Sequence, residues 1–171
     1  KGAPEGVLEA CTRLELGPDG ADAGDMTPEL RAAVLDEFER LSSNGYRAVA
    51  VAYRTIGNGR EVYSIADESN MTFVGYVSFV DPPKESTREA LEQAEALGVE
   101  IKILTGDNEL VTARICERVG LKVKGVLMGQ DVDALDDSEL AARAEQATVC
   151  ARLSPDQKDR IIAALKRSGH V

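Results

Sequence analysis

The sequence has no tryptophan, a single histidine and only three cysteines among its 171 residues. The lone histidine, His170, and the absence of any C-x-x-C pair argue against a zinc site. The cysteines, Cys11, Cys116 and Cys150, lie far apart, and Cys116 and Cys150 sit in apolar patterns. We therefore expect those two to be small buried apolar residues in a reduced, cytosolic environment.

Long apolar runs and an excess of basic residues are also missing. No stretch approaches the roughly 20 apolar residues that a membrane-spanning helix needs, and no signal peptide pattern is present. The net charge is −10, which argues against a nucleic-acid partner. With 43% hydrophobic and 29% charged residues, the chain is typical of a globular protein rather than a disordered one.

Both ends of the sequence are unusual. It opens with K-G-A-P-E, without methionine, and stops at His170-Val171, which the pattern predicts to be the start of a strand. We expect this chain to be part of a longer protein, whose other parts hold the membrane spans and half of the chemistry.

Residues 1–80 mix helix and strand patterns. Thr27 and Pro28 are typical of the start of a helix, and Asn44-Gly45 of its end. The pattern further predicts a short helix from Pro4 to about Cys11, a loop at 17–26, a strand at 47–54, a polar connection at 57–70 and a strand at 72–80.

From residue 85 onwards, strands and helices alternate regularly, which predicts a doubly wound parallel sheet. Ser86 with Glu89, and Ser154 with Gln157, fit the capping box of a helix start. The predicted strands are 99–104, 123–128 and 148–151, and the predicted helices begin near Ser86, Glu109, Asp136 and Ser154.

Polar residues stand where two of these strands pass into helices, at Thr105–Asn108 and at Arg152–Ser154. Ligands bind beyond the carboxyl ends of such strands, and helix N-termini favour phosphate. Gly106 has no Cβ to block a ligand, and Thr105 can donate its hydroxyl to a phosphate oxygen. Asp107 is a poor phosphate ligand, so we expect it to cap the helix or to hold a sugar hydroxyl or a cation.

Lys158 lies in the first turn of the helix after Ser154, where its ammonium can neutralise charge on a phosphoryl group. From spacing alone, an ordinary exposed lysine beside Asp156 and Asp159 is the favoured interpretation. In the same way, T-G-D could be a turn followed by an N-cap. No Walker loop, G-x-G-x-x-G or Ser–His–Asp arrangement is present.

Five motifs, taken together and in this order, resemble signatures of the cation-transporting P-type ATPases. They are K-G-A-P-E (1–5), G-Y-R-A-V-A-V-A (45–52), D-P-P-K (81–84), I-L-T-G-D-N (103–108) and A-R-L-S-P-D-Q-K (151–158). The longer stretches around T-G-D-N and D-P-P-K are most similar to the bacterial magnesium-transporting branch.

The resemblance implies the fold and the domain boundaries. Residues 85–171 would form part of a haloacid dehalogenase-like phosphorylation domain, an α/β fold with a doubly wound parallel sheet. Residues 1–80 would be the C-terminal part of an α+β nucleotide-binding domain, and 81–84 the hinge strand between the two.

The resemblance also implies a nucleotide site. Lys1 and Gly2 match the motif that lines the adenine pocket, and Arg47 matches an arginine that reaches the ATP phosphates. Asp107 and Arg152 match residues near the ribose and the phosphates.

Three further residues match catalytic positions of the family. Thr105 and Gly106 would bind the transferred phosphoryl group, and Lys158 would balance charge on an aspartyl phosphate. The resemblance implies that the whole protein is an ATP-driven cation pump that transports Mg²⁺ and lies in the cell membrane, with this segment on the cytoplasmic side.

The family's nucleophile motif D-K-T-G-T and its magnesium motif G-D-G-x-N-D do not occur in this sequence. We expect them before Lys1 and after Val171, so the segment alone should be inactive and should hold no main metal ligand. ATP and Mg²⁺ would be the cofactors, and the transmembrane and actuator domains of the same protein the partners. The alternatives are a soluble phosphatase of the dehalogenase type, with residues 1–80 as its cap, and a nucleotide-binding module without catalysis.

Overall fold

The computed structural model describes residues 1–17, 22–57 and 62–170. The chain divides into two compact units, Lys1–Ser42 with Tyr46–Val80, and Ser43–Gly45 with Asp81–Val171. Among the described residues, no helix combines the length and the apolar character needed to cross a membrane.

The first unit is built on a four-stranded mixed sheet. Its strands lie in the order β2-β1-β4-β3, with β1 parallel to β4 and the other neighbours antiparallel. The elements are α1 (Pro4–Glu9), β1 (Cys11–Glu15), β2 (Ala23–Asp25), α2 (Pro28–Ser43), β3 (Arg47–Tyr53), a 3₁₀ helix (Ile65–Asp67) and β4 (Met71–Phe79).

The core of the first unit is formed by the buried residues Leu8, Cys11, Ala50 and Phe73. Helix α2 is tied to this core by Tyr76, whose hydroxyl donates to the Val34 carbonyl at 3.0 Å. The ring of Tyr76 also packs edge-on against Phe73, with 5.2 Å between the centroids. Edge-to-face aromatic pairs of this kind contribute about 0.5–1.5 kcal/mol beyond the apolar area that they bury.

The long elements of this unit agree with the sequence predictions, and the short ones do not. Helix α2 and strands β3 and β4 are confirmed to within one or two residues. The predicted helix reaching Cys11 is wrong at its end, because Cys11 begins β1. The predicted loop at 17–26 contains β2, which forms because Leu14 pairs with both Gly24 and the distant Phe73. Residues 18–21 and 58–61 of the predicted connections lie outside the described residues.

The second unit contains a three-stranded sheet in the order β5-β7-β6 that is parallel throughout. Its elements are α3 (Thr87–Ala96), β5 (Ile103–Leu104), α4 (Glu109–Val119), β6 (Val126–Met128), α5 (Gly129–Ala134), α6 (Asp137–Gln146), β7 (Val149–Ala151) and α7 (Pro155–Arg167).

Helices cover both faces of this sheet, as the alternation of β7 shows. Cys150 belongs to one buried cluster with Leu140 of α6 and Ile161 of α7. Val149 and Ala151 point the other way and pack with Cys116 of α4. Complete burial of a leucine or isoleucine side chain contributes about 1.5–3 kcal/mol to the stability of the fold, so packing on both faces of the sheet stabilises the unit.

The predicted burial of Cys116 and Cys150 is confirmed, and Cys11 is buried as well. Burial raises the pKa of the Cys116 and Cys150 thiols, which keeps them protonated and unreactive.

The strands of the second unit are shorter than predicted. The predicted strand from Val99 is reduced to two residues, because Val99 closes helix α3 instead: its N–H donates to the Ala94 carbonyl at 2.9 Å, after Gly98 has turned left-handed at φ 72°. The predicted strand from Val123 begins only at Val126, and helix α5 was not predicted. The start of a strand at His170 is not seen, and Val171 lies outside the described residues.

Of the two predicted capping boxes, one forms. Ser154 accepts from the Gln157 N–H at 3.3 Å, and the Gln157 side chain accepts from the Ser154 N–H at 2.9 Å. Ser86 makes no capping hydrogen bond, because its backbone is already helical at φ −71° and ψ −10°, whereas an N-cap side chain needs an extended backbone.

This difference gives a paired stability prediction. Ser154→Ala is expected to lower the free energy of unfolding by about 1 kcal/mol, because it leaves an N–H at the start of α7 unpaired. Ser86→Ala, the same change at the same kind of helix position, is expected to have almost no effect. Denaturant unfolding of the 171-residue chain measures both, and equal losses would contradict the assignment of the caps.

Candidate functional site

Two turns lie side by side where β5 and β7 end. The Thr105 N–H donates to the Cys150 carbonyl at 2.9 Å, and the Leu153 N–H donates to the Thr105 carbonyl at 3.0 Å. The Arg152 N–H then donates to the Asp107 carbonyl at 2.9 Å. These bonds continue the parallel ladder past the strands, so the turns 105–107 and 151–153 form one continuous edge, with the starts of α4 and α7 directly behind them.

The first turn is closed by Thr105 and Asp107. The Thr105 hydroxyl donates to the Asp107 carboxylate at 3.1 Å and accepts from the Asp107 N–H at 3.0 Å. The cap of α4 is Asn108, whose Oδ1 accepts from the Val111 N–H at 2.9 Å. The expectation that Asp107 caps the helix is therefore wrong, because its side chain is turned back towards Thr105.

Gly106 is exposed at the tip of this turn. A Cβ added there would lie 3.4 Å from the Leu153 carbonyl oxygen, a distance close to ordinary van der Waals contact. The fold therefore does not by itself require glycine at this position. The missing side chain instead leaves the tip of the turn open to an approaching group.

The second turn depends on an unusual backbone conformation. Arg152 is left-handed at φ 55°, which costs a non-glycine residue about 1 kcal/mol or more. Its carbonyl lies against Gly129, where an added Cβ would be only 2.3 Å from the Arg152 oxygen. Gln157 of α7 contacts the same segment: its side-chain amide donates to the Gly129 carbonyl at 3.0 Å and to the Asp133 carboxylate at 2.7 Å.

Gly129 belongs to a third strand-to-helix junction, at the end of β6, and was missed from the sequence. The signal that could have found it is a glycine directly after an apolar strand, at the same edge as the other two turns. Its role is to let the turn at Arg152 pack closely against the start of α5.

The guanidinium of Arg152 forms an ion pair with Glu109, the first residue of α4, with 2.8 Å between Nε and the carboxylate. Partial burial raises the pKa of the Glu109 carboxyl, but the hydrogen bond from Arg152, a backbone hydrogen bond and the charge of Arg152 outweigh it, so this pKa lies below its usual value. Glu109 was also missed from the sequence, where an acidic residue at a helix start is commonplace.

Lys158 lies in the first turn of α7 and is half-buried. Its backbone N–H donates to the Ser154 carbonyl at 3.1 Å. Within the described part of the chain, the ammonium forms no ion pair, either with Asp156 or with Asp159. As a half-buried cation without an ion pair among the described residues, in the first turn of the helix that follows the second turn, Lys158 makes this part of the unit attractive to an anion.

The remaining candidates lie in the first unit. Gly2 pairs with Ala50 through two backbone hydrogen bonds of 3.1 and 3.0 Å, which places the K-G-A segment along the outer edge of β3. Lys1 beside it is exposed. Arg47 opens the same strand, with its guanidinium 5.9 Å from the ring centroid of Phe79. The structure thus places Lys1, Gly2 and Arg47 on or beside one strand, whereas Thr105, Gly106, Asp107, Arg152 and Lys158 belong to the second unit.

No group of three or more His, Cys, Asp or Glu side chains among residues 1–17, 22–57 and 62–170 could hold a metal ion.

Comparison with protein families gives one match that covers half of the chain. The family model described as "P-type ATPase, cytoplasmic domain N" matches residues 1–86.

Curated relatives extend the similarity over the whole chain. The Magnesium-transporting ATPase, P-type 1 of Escherichia coli (strain K12) is 41% identical over 171 residues, and its counterpart in Salmonella typhimurium (strain LT2) is 42% identical over the same length. Calcium-transporting ATPase 1 of Lactococcus lactis is 30% identical over 173 residues. All of this chain is covered in each case, but only 19% of the relative, so the chain spans about a fifth of their length.

Proposed function

The chain belongs to the P-type ATPase family, and we propose that it is a cytoplasmic segment of an ATP-driven cation pump. In this proposal the whole pump hydrolyses ATP through an aspartyl phosphate, and the aspartate lies outside this chain. Membership of a family of pumps favours this reading over a free-standing phosphatase.

The observation that carries the proposal is the joined edge formed by the turns 105–107 and 151–153. We assign the phosphoryl group to this edge, with Thr105 and Gly106 binding its oxygens and Lys158 balancing its charge. Two helices start behind the edge, so their dipoles favour an anion at the same place. Positioning and charge of this kind supply most of the acceleration in phosphoryl transfer.

In this proposal the Thr105 hydroxyl, which donates to the Asp107 carboxylate at 3.1 Å, turns to a phosphoryl oxygen when one arrives. Asp107 would contact a sugar hydroxyl, in line with its proposed place near the ribose.

We assign the nucleotide to residues from both units. Lys1 and Gly2 would line the adenine pocket, and Arg47 and Arg152 would reach the phosphates. The pairing of Gly2 with Ala50 supports the first assignment, because it fixes the K-G-A segment on a strand that also carries Arg47.

The secondary structure of each unit supports the proposed domains. Residues 85–171, with helices on both faces of a parallel sheet, would be part of a haloacid dehalogenase-like phosphorylation domain. Residues 1–80 would be part of the nucleotide-binding domain. Residues 81–84, which contain two prolines and no regular secondary structure, would be the hinge about which the domains close on ATP.

The cation, the cofactor ion and the partners belong to the whole protein. We favour Mg²⁺ as the transported ion, because magnesium-transporting relatives are 41–42% identical and a calcium-transporting one 30%. A catalytic Mg²⁺ bound with ATP would supply charge neutralisation at the phosphates, with its ligands outside this chain. Transmembrane and actuator domains of the same protein would convert phosphorylation into transport.

The experiment that tests the proposal is phosphoenzyme trapping in the full-length protein. Membranes containing it are incubated with γ-labelled ATP, quenched in acid and treated with hydroxylamine, which cleaves acyl phosphates. We expect label on the protein that hydroxylamine removes, and no ATP turnover by the purified 171-residue chain. Absence of label from the full-length protein, or turnover by the segment alone, would overturn the proposal.

A further inference from the structure

The acidic side chain of Glu109 joins the two turns of the candidate site through an ion pair, since it stands on α4 after the first turn and binds Arg152 in the second. We propose that Glu109 is a positioning residue that sets the direction of the Arg152 guanidinium towards the nucleotide. This inference rests on the proposed function of Arg152 as a nucleotide contact.

The backbone end of Arg152 is fixed from several sides. Its N–H donates to the Asp107 carbonyl at 2.9 Å, and its carbonyl packs against Gly129. The left-handed φ of 55° gives the side chain a departure direction that an ordinary turn would not provide. An arginine side chain nevertheless keeps several free torsions beyond Cα, so the backbone alone does not orient the guanidinium.

Glu109 fixes the guanidinium end of the Arg152 side chain. Its carboxylate accepts from Nε at 2.8 Å, and because a guanidinium is planar, holding Nε at a fixed point sets the direction of the terminal nitrogens. The side chains of Arg152 and Glu109 are 40% and 32% exposed, so the pair is open to solvent on one side and can meet a ligand there.

The negative charge of Glu109 would weaken anion binding if this residue did not also orient Arg152. A carboxylate beside a phosphate-binding edge repels the ligand that the edge is proposed to bind. The ion pair neutralises this charge, and the gain from a pre-oriented guanidinium is what compensates for placing an acid there. As the first residue of α4, Glu109 also interacts favourably with the helix dipole, but that interaction does not involve Arg152.

The test uses the full-length pump with the variants Glu109→Gln, Arg152→Ala and the double variant, and measures KM for ATP and kcat separately. We expect Glu109→Gln to raise KM about 3- to 10-fold, the effect of releasing one immobilised side chain, with kcat nearly unchanged. In the Arg152→Ala background, Glu109→Gln should raise KM no further. The matched control is Glu117→Gln, the same change on the same helix in a pair with Arg114, which should leave KM unchanged.

A second variant separates positioning from helix stability. Glu109→Asp keeps the negative charge at the start of α4 but withdraws it by one methylene, so it should preserve stability and still raise KM. A wild-type KM in Glu109→Gln together with a raised KM in Arg152→Ala would overturn the inference and leave the proposed function standing. If Glu109→Gln raised KM equally with and without Arg152→Ala, the inference would be overturned as well. An unchanged KM in Arg152→Ala would show that Arg152 does not contact the nucleotide. Phosphoenzyme trapping decides separately whether the protein is a pump.

Discussion

Replacing Gly129 with alanine is expected to destabilise the second unit by about 2–4 kcal/mol. The new Cβ would lie 2.3 Å from the Arg152 carbonyl oxygen and 2.7 Å from the Gln157 side chain. The Gln157 amide could rotate away, but the carbonyl belongs to a turn whose neighbouring N–H groups are bonded to Asp107 and Thr105. Relieving the clash therefore means breaking the edge at which the two turns meet.

The measurement is denaturant unfolding of the 171-residue chain, followed by a probe within residues 81–170. Gly106→Ala is the matched control, because it makes the same change in the neighbouring turn where the added Cβ meets only an ordinary contact at 3.4 Å. We expect this control to stay within about 0.5 kcal/mol of the original chain. Equal stability of the two variants would show that the turn at Arg152 is not held by Gly129.

In the full-length protein, Lys158→Ala is expected to slow phosphoenzyme formation by about 10²- to 10³-fold, the cost of removing one preorganised charge from the proposed phosphoryl site. Lys158 lies in the first turn of α7, half-buried and without an ion-pair partner among the described residues, so its charge is available to a ligand. Alanine keeps the helix, because it is the best helix former.

Rapid acid quench after mixing with labelled ATP measures this rate. Lys166→Ala provides the control, since it removes an exposed lysine from the last turn of the same helix. A phosphorylation rate equal to that of the original protein in Lys158→Ala would refute the proposed role of this lysine. A comparable loss in both variants would point to damage to α7 rather than to the site.

The parts of the fold that the sequence predicted well are those specified by local signals. Helix α2 has Pro28 at its start and the Asn44-Gly45 stop, and α7 has the Ser154 capping box, so neighbouring residues alone define their ends. Strand β2 exists because it pairs with β1, and β1 also pairs with β4, about 60 residues further along the chain, and no local pattern encodes these pairings. Val99 shows the reverse case, where an apolar residue with strand character is used to close a helix.

The candidate site likewise has features that local sequence signals predict and features that they do not. That the turns at Thr105 and Arg152 meet at one edge could be predicted, because parallel neighbouring strands end on the same side of a sheet. The contact of Gly129 with the Arg152 carbonyl and the ion pair of Arg152 with Glu109 could not, since both depend on the left-handed backbone of an arginine. That Asn108 rather than Asp107 caps α4 could not be predicted either, since it depends on the hydrogen bonds between Thr105 and Asp107 and on the one from the Val111 N–H to Asn108.

The pairing of Gly2 with Ala50 has a consequence for how the first unit meets other molecules. Strand β3 lies at the margin of its sheet, and an uncovered margin offers N–H and carbonyl groups to any passing extended chain. By occupying both backbone groups of Ala50, Gly2 interrupts that row at its middle. A variant that lacks Lys1 and Gly2 would leave the N–H and carbonyl of Ala50 unpaired at the margin of the sheet. We therefore expect this variant to self-associate before it unfolds.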